Sequence, residues 1–174
     1  RSRLRWCSTR THGCALGLGE RVGNTHRDLL LVNVRLLGWI DTDLSKLKEM
    51  GEIIAEGTGM AIPANYPVLG ADAFRTATGV HAAAVIKAMR KGDDWLANRV
   101  YSGVPADLFG CQQVIEIGPM SGESNVIYWL EQRGIAPNPD LVRAIVEHAK
   151  QGNHLLHEAE VHAIVKTRST RALT

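Results

Sequence analysis

The sequence predicts an α/β chain dominated by helix. Residues 12–23 alternate apolar residues with glycines, which reads as one short strand running into a glycine-rich turn. About five later segments carry apolar residues at three- and four-residue spacing, the mark of amphipathic helices. The composition, 174 residues of which 45% are hydrophobic and 22% charged, is that of one or at most two ordinary globular domains and excludes a disordered or fibrous chain.

Taken in order, the glycine turn gives way at once to a helix. Thr25 with Asp28 three positions on is a capping-box pattern, and Leu29, Leu30, Val32, Val34, Leu36 and Leu37 make this helix apolar on most sides until Gly38. Such a helix requires burial on several faces. Asp41 or Thr42 caps a second helix through Leu44, Leu47, Met50 and Ile54, which Gly57 and Gly59 end. A linker with Pro63 and Pro67 precedes an alanine-rich helix over about 72–91, and Gly92-Asp93-Asp94 breaks it. Residues 100–118 read as irregular with one strand at 114–117. Ser121 or Ser124 leads into another helix, Asn138-Pro139 is an N-cap followed by a first-turn proline, and a last helix covers about 154–166 before a tail from Thr167. One strand cannot satisfy its backbone groups alone, so the strand that opens 12–23 either pairs with another molecule or belongs to the C-terminal part of a longer polypeptide.

The 20 Lys and Arg against 18 Asp and Glu give a net charge of +2, yet Arg1, Arg3, Arg5 and Arg10 supply four of the positives. The rest of the chain is mildly acidic, which speaks against a nucleic-acid or membrane partner. Cys7, Cys14 and Cys111 form no CxxC and no zinc spacing, so neither a disulfide framework nor a structural metal site is expected. The most apolar stretch, 29–40, is broken by Asn33 and Arg35 and is too short to span a bilayer. The start carries no apolar signal core, and a cytoplasmic location is expected. Gly17-Leu18-Gly19 with Gly23 approximates a dinucleotide loop, but Glu20 and Arg21 place charges where a pyrophosphate needs close backbone approach, and no second βαβ unit follows.

The longer string is more specific. His12-Gly13-Cys14-Ala15-Leu16-Gly17-Leu18-Gly19-Glu20-Arg21-Val22-Gly23-Asn24 resembles the H/E-G-T/C-x-x-G-x-G-E-R-x-G-N segment of the 2-isopropylmalate synthase and homocitrate synthase family. The resemblance implies that this is the last strand of a (β/α)8 TIM barrel with its following loop. It gives Asn24 a place in a divalent-metal site (Mg, Mn or Zn), and a neutral amide oxygen is a ligand suited to such an ion. By itself, Asn24 also reads as a plain turn or capping residue. Glu20 and Arg21 read as a solvated pair, or by resemblance as an ionic network at the mouth of the site.

Two further blocks resemble the same family. Pro67-Val68-Leu69-Gly70-Ala71-Asp72-Ala73-Phe74, with Thr78-Gly79-Val80-His81 and Lys87, is similar to its P-x-x-G-x-x-A-F…S-G-x-H…K linker segment. There the resemblance makes His81 an acid/base residue that serves the partner subunit of a homodimer; on an alanine-rich helix it would otherwise be an ordinary surface or core histidine. Val100-Tyr101-Ser102-Gly103-Val104-Pro105 is similar to a tyrosine-containing turn of the family, and implies for Tyr101 a phenol near the reacting carbonyl; a packing tyrosine is the other reading. Ser121-Gly122 is taken as helix capping only. His154, His157, Glu158 and His162 lie near one another on a helix, and i, i+3 pairs can bind metal, but their order is neither H-E-x-x-H nor its inverse, so a solvent-facing helix is expected.

The resemblance thus divides the chain into a barrel end at 1–40, a helical linker subdomain at 41–92 and a second, mostly helical one at 93–174. It implies an acyltransferase that joins acetyl-CoA, as co-substrate, to a 2-oxo acid, with 3-methyl-2-oxobutanoate and hence 2-isopropylmalate synthesis as first choice. Homocitrate or citramalate synthesis is the alternative, and a non-catalytic helical interaction module is the reading from another class. The family's D-x-T-L-R-D-G and H-x-H-N-D motifs are not in the sequence, so this chain alone is expected to bind metal poorly and not to catalyse. Leucine feedback is likewise not expected of it, and residues 1–11 depart from the family pattern.

Overall fold

The computed structural model describes residues 10–171, so the expectations for residues 1–9 lie outside the described residues. Among them are seven α-helices and two strands: α1 Arg27–Leu36, α2 Leu47–Thr58, β1 Arg75–Thr76, α3 Gly79–Arg90, α4 Asp94–Ala97, β2 Val114–Ile115, α5 Glu123–Gln132, α6 Pro139–Gln151 and α7 Glu158–Arg171. The chain is therefore α/β and mostly helical. It divides into two compact units, one of residues up to Ala73 with Asp107–Cys111, the other of Phe74–Ala106 with Gln112 onward.

In the first unit the apolar sides of α1 and α2 are buried through Val32 and Leu47, alongside Leu16, Leu44, Val68, Leu69 and Phe109. Cys111 is buried here as a free thiol, and burial pushes its pKa up, as desolvation of a thiolate must. The strand expected at the start of 12–23 is reduced to a single parallel bridge between Cys14 and His26, followed by a 3-10 turn at Ala15–Gly17. A strand needs neighbours for its ladder, and among the described residues its one pairing is with the chain that soon follows it. The capping box also fails to form. His26 is the N-cap residue of α1 with no side-chain capping bond, and Asp28 is fully buried with its carboxylate turned to the glycine loop. Nor is α1 buried on several faces, since Leu36, Leu37 and Trp39 are exposed and an open apolar groove of about 410 Å³ runs beside Leu30, Val34 and Ile40. The second helix begins at Leu47, later than a cap at Asp41 or Thr42 would have it, and ends on left-handed Gly59.

In the second unit β1 and β2 pair in parallel, Arg75 opposite Val114 and Thr76 opposite Ile115. This corrects the alanine-rich helix expected from 72: the N–H groups of Val114 and Glu116 bond Phe74 and Thr76 carbonyls, and helix starts only at Gly79. Ala82, Val85 and Ile86 of α3 bury against Ile115. A larger core joins α5, α6 and α7 through Val126, Leu130, Ile145, Val146 and Val161, with Ile117 beneath them. Asn138 caps α6 as expected, its Oδ1 accepting from the Leu141 N–H at 2.8 Å. The last helix starts at Glu158 and continues to Arg171, past the end expected at Lys166. No helix among the described residues is long and apolar enough to cross a membrane.

Candidate functional site

The glycine loop is built from its own backbone. Cys14 and Thr25 are joined by an N–H···O bond, Arg27 donates back to Cys14, and Asn24 donates its backbone N–H to the Gly17 carbonyl at 2.9 Å. Leu16 and Gly17 both take left-handed conformations, φ +54° and +67°, which curls the chain tightly enough for Asn24 to return over it. The Asn24 side chain is then fixed by its Nδ2, which donates to the Leu18 carbonyl at 2.9 Å and lies 3.5 Å from Cys14 Sγ. Its Oδ1 has no hydrogen-bond partner among the described residues, and the residue is exposed. Glu20 and Arg21 pair with each other at 3.1 Å in nearly full exposure, which in water contributes little.

Asn24 therefore suits a hard divalent cation as one neutral oxygen donor. Among the described residues no group of three or more His, Cys, Asp or Glu gathers that could complete a metal shell. The Asn24 amide is held in place from both its backbone and its amide nitrogen.

His81 and Tyr101 belong to the second unit, and the fold brings them together. His81 stands in the first turn of α3 and Tyr101 follows α4, which packs along α3; their rings lie 4.2 Å apart between centroids, tilted by 32°. Both rings are exposed. Tyr101 has φ +58°, a conformation that costs a non-glycine residue about 1 kcal/mol and persists only where the surroundings impose it. The turn around it is closed by Ser102, whose hydroxyl donates to the Val104 carbonyl at 2.6 Å.

Sequence reasoning missed two clusters. In the first unit, the Tyr66 hydroxyl donates to Asp28 Oδ2 at 2.6 Å and lies 2.6 Å from His26 Nδ1, while Asp28 Oδ1 accepts the Leu16 N–H at 2.8 Å. Burial raises the Tyr66 pKa above its ordinary value, and the Asp28 carboxylate adds to the effect. A hint was present in the sequence, since His26-Arg27 puts polar residues at the start of an otherwise apolar helix. In the second unit, Ser121 caps nothing: its hydroxyl donates to the Ala77 carbonyl at 2.6 Å and accepts from the Gly118 N–H. Gly122 takes the N-cap position of α5, and the fully buried Asn125 donates to the carbonyls of both Ala77 and Glu116. The histidines near the C-terminus face carboxylates, His154 opposite Glu160 and His162 opposite Glu158.

No family model matches the sequence. Individual proteins do. The chain is 31% identical to the (R)-citramalate synthase of Aquifex aeolicus over 166 residues, 89% of this chain and 30% of that protein. It is 30% identical to the homocitrate synthase of Pyrococcus horikoshii over 135 residues, 77% of this chain and 35% of that one. The chain belongs with the 2-isopropylmalate/homocitrate synthase family. It is also 33% identical to the (R)-citramalate synthase of Sulfolobus acidocaldarius over 128 residues, 71% of this chain and 23% of that protein. It spans about a third of the length of the first two of these family members. The three sequence blocks that carry Asn24, His81 and Tyr101 lie within one such family segment, Asn24 in the first structural unit and the other two in the second.

Proposed function

We propose that the protein to which this chain belongs is an acyltransferase that condenses acetyl-CoA with a 2-oxo acid. The observation that carries the reaction class is the match to condensing synthases along 89% of the chain. In this reading, residues 1–40 are the last strand and helix of a TIM barrel, and the later helices are its linker region. The acetyl methyl group loses a proton, its carbon bonds to the keto carbon, and the keto oxygen takes up a proton to become a hydroxyl. Water then cleaves the thioester, releasing CoA and leaving a carboxylate. A divalent cation (Mg, Mn or Zn), when bound, polarises the keto group. Asn24 offers its amide oxygen toward that ion, His81 moves a proton on the acetyl side, and the Tyr101 hydroxyl donates to oxygen that gains negative charge.

The names of the relatives favour citramalate or homocitrate synthesis over 2-isopropylmalate synthesis, which was the first choice from the motifs. The enzyme is read as a homodimer in which His81 serves the partner's site, with neither a nucleic-acid nor a membrane partner, in the cytoplasm. The test is an assay of CoA thiol release by the intact protein with pyruvate, 2-oxoglutarate and 3-methyl-2-oxobutanoate in turn. One of the first two should be preferred. His81→Ala should lower kcat by about 100-fold or more; an unchanged rate removes the assigned role, and no release with any 2-oxo acid removes the function.

A further inference from the structure

We propose that Tyr66 is a positioning residue for Asn24, holding the loop that presents it through Asp28 and the Leu16–Gly17 turn. Asp28 is the starting point, because it is a carboxylate with no exposed surface in the first turn of α1. A buried carboxylate persists only when its oxygens are bonded, and both are: Oδ2 receives the Tyr66 hydroxyl and Oδ1 the Leu16 N–H. Since the Tyr66 hydroxyl gives its one proton to Asp28, the His26 nitrogen 2.6 Å away must be the donor to the phenol oxygen. His26 Nδ1 thereby fixes the direction of the hydroxyl.

The same imidazole covers the turn from outside. Its Cε1 and Cδ2 lie 2.6 and 2.7 Å from where a Cβ on Gly17 would stand, so ring and turn fit only because residue 17 has no side chain. The turn is thus held on the Leu16 N–H by Asp28 and on the face of Gly17 by His26. Its carbonyl side carries Asn24: the Gly17 oxygen accepts the Asn24 backbone N–H and the Leu18 oxygen accepts the Asn24 amide, each at 2.9 Å. Tyr66 comes from the segment between Pro63 and Pro67, where its own backbone is fixed by bonds to Pro63 and Gly70. A rigid proline-flanked turn therefore sets the geometry of a side chain 42 positions earlier in the sequence.

The inference rests on the reading of Asn24 given above, and its test is independent of activity. In the ¹⁵N-labelled intact protein, Tyr66→Phe should shift the Asn24 side-chain NH₂ resonances and speed exchange of the Leu16 and Asn24 backbone amides by about tenfold. Amides of α2, such as Met50, should keep their rates. If Leu16 and Asn24 are unmoved, or if all amides of the first unit accelerate together, Tyr66 has no positioning role. Should the Tyr66→Phe chain not fold, His26→Ala leaves the Asp28 bonds in place and should loosen Gly17 and Asn24 to a smaller extent; no change there overturns the proposal. In the intact enzyme, Tyr66→Phe should raise the divalent-cation concentration for half-maximal rate by about tenfold. If Asn24→Ala keeps full activity while Tyr66→Phe still loosens the loop, the functional reading of Asn24 fails and the positioning stands. If Asn24→Ala is inactive and the loop is unmoved in Tyr66→Phe, only the positioning fails.

Discussion

Tyr101 holds a left-handed backbone, φ +58°, with its ring largely in solvent against His81. A tyrosine that packs for stability would be buried; this one is 63% exposed, so its hydroxyl contributes little to the fold. Tyr101→Phe keeps the ring, the stacking and the backbone conformation. It should therefore leave the unfolding free energy, measured in urea, within about 0.5 kcal/mol of wild type. In the intact enzyme the same change should lower kcat by about 10- to 100-fold, because it removes a donor to oxygen charge. An unchanged kcat removes the role proposed for the Tyr101 hydroxyl. At this scale Asn24, His81 and Tyr101 were legible because each sits in a contiguous motif. Asp28 and Tyr66 were not, since their bond spans 38 residues and local reading gave Asp28 only a capping role.

Elements differ in how far local rules decide them. Helix α6 followed its cap and first-turn proline, because Asn138 and Pro139 satisfy the helix start without help from elsewhere. Helix α1 did not follow its capping-box pattern, because a buried bond to the Leu16 N–H holds Asp28 in place of a cap. Strand β1 was hidden inside an alanine-rich stretch, since two residues paired with a segment 39 positions away leave no periodicity to read. Helix α7 carries its own pH dependence. The Arg133 guanidinium lowers the Glu158 pKa below its ordinary 4.5, and the His157 backbone N–H lowers that of Glu160; His154 and His162 also face the pair. A lowered folded-state pKa means stability that is fully present above 4.5 and lost as the pH falls through the folded value. The thermal midpoint of the second unit should therefore drop as the pH falls below 4.5, and Glu158→Gln with Glu160→Gln should flatten that slope. A slope unchanged by the double substitution would assign the acid sensitivity to other carboxylates.

At the scale of the molecule, the α/β class and the run of helices were readable from periodicity, and the family from three motifs, because both are written in short stretches of chain. The division into two units was not, since Asp107–Cys111 joins the first unit from far along the sequence. That division frames the last prediction. Asn24 lies in one unit and His81 in the other, and the proposed homodimer has His81 completing the partner's site. If so, Asn24→Ala and His81→Ala are each inactive alone, but a mixed dimer contains one site in which both residues are intact. Random exchange of equal amounts makes half the dimers mixed, each with one working site of two, so activity should recover to about one quarter of wild type. If both residues serve a site within the same subunit, no site in the mixed dimer is whole and the mixture stays inactive. CoA release after subunit exchange therefore decides between the two arrangements, and recovery with the same 2-oxo acid preference as wild type would tie both residues to one reaction.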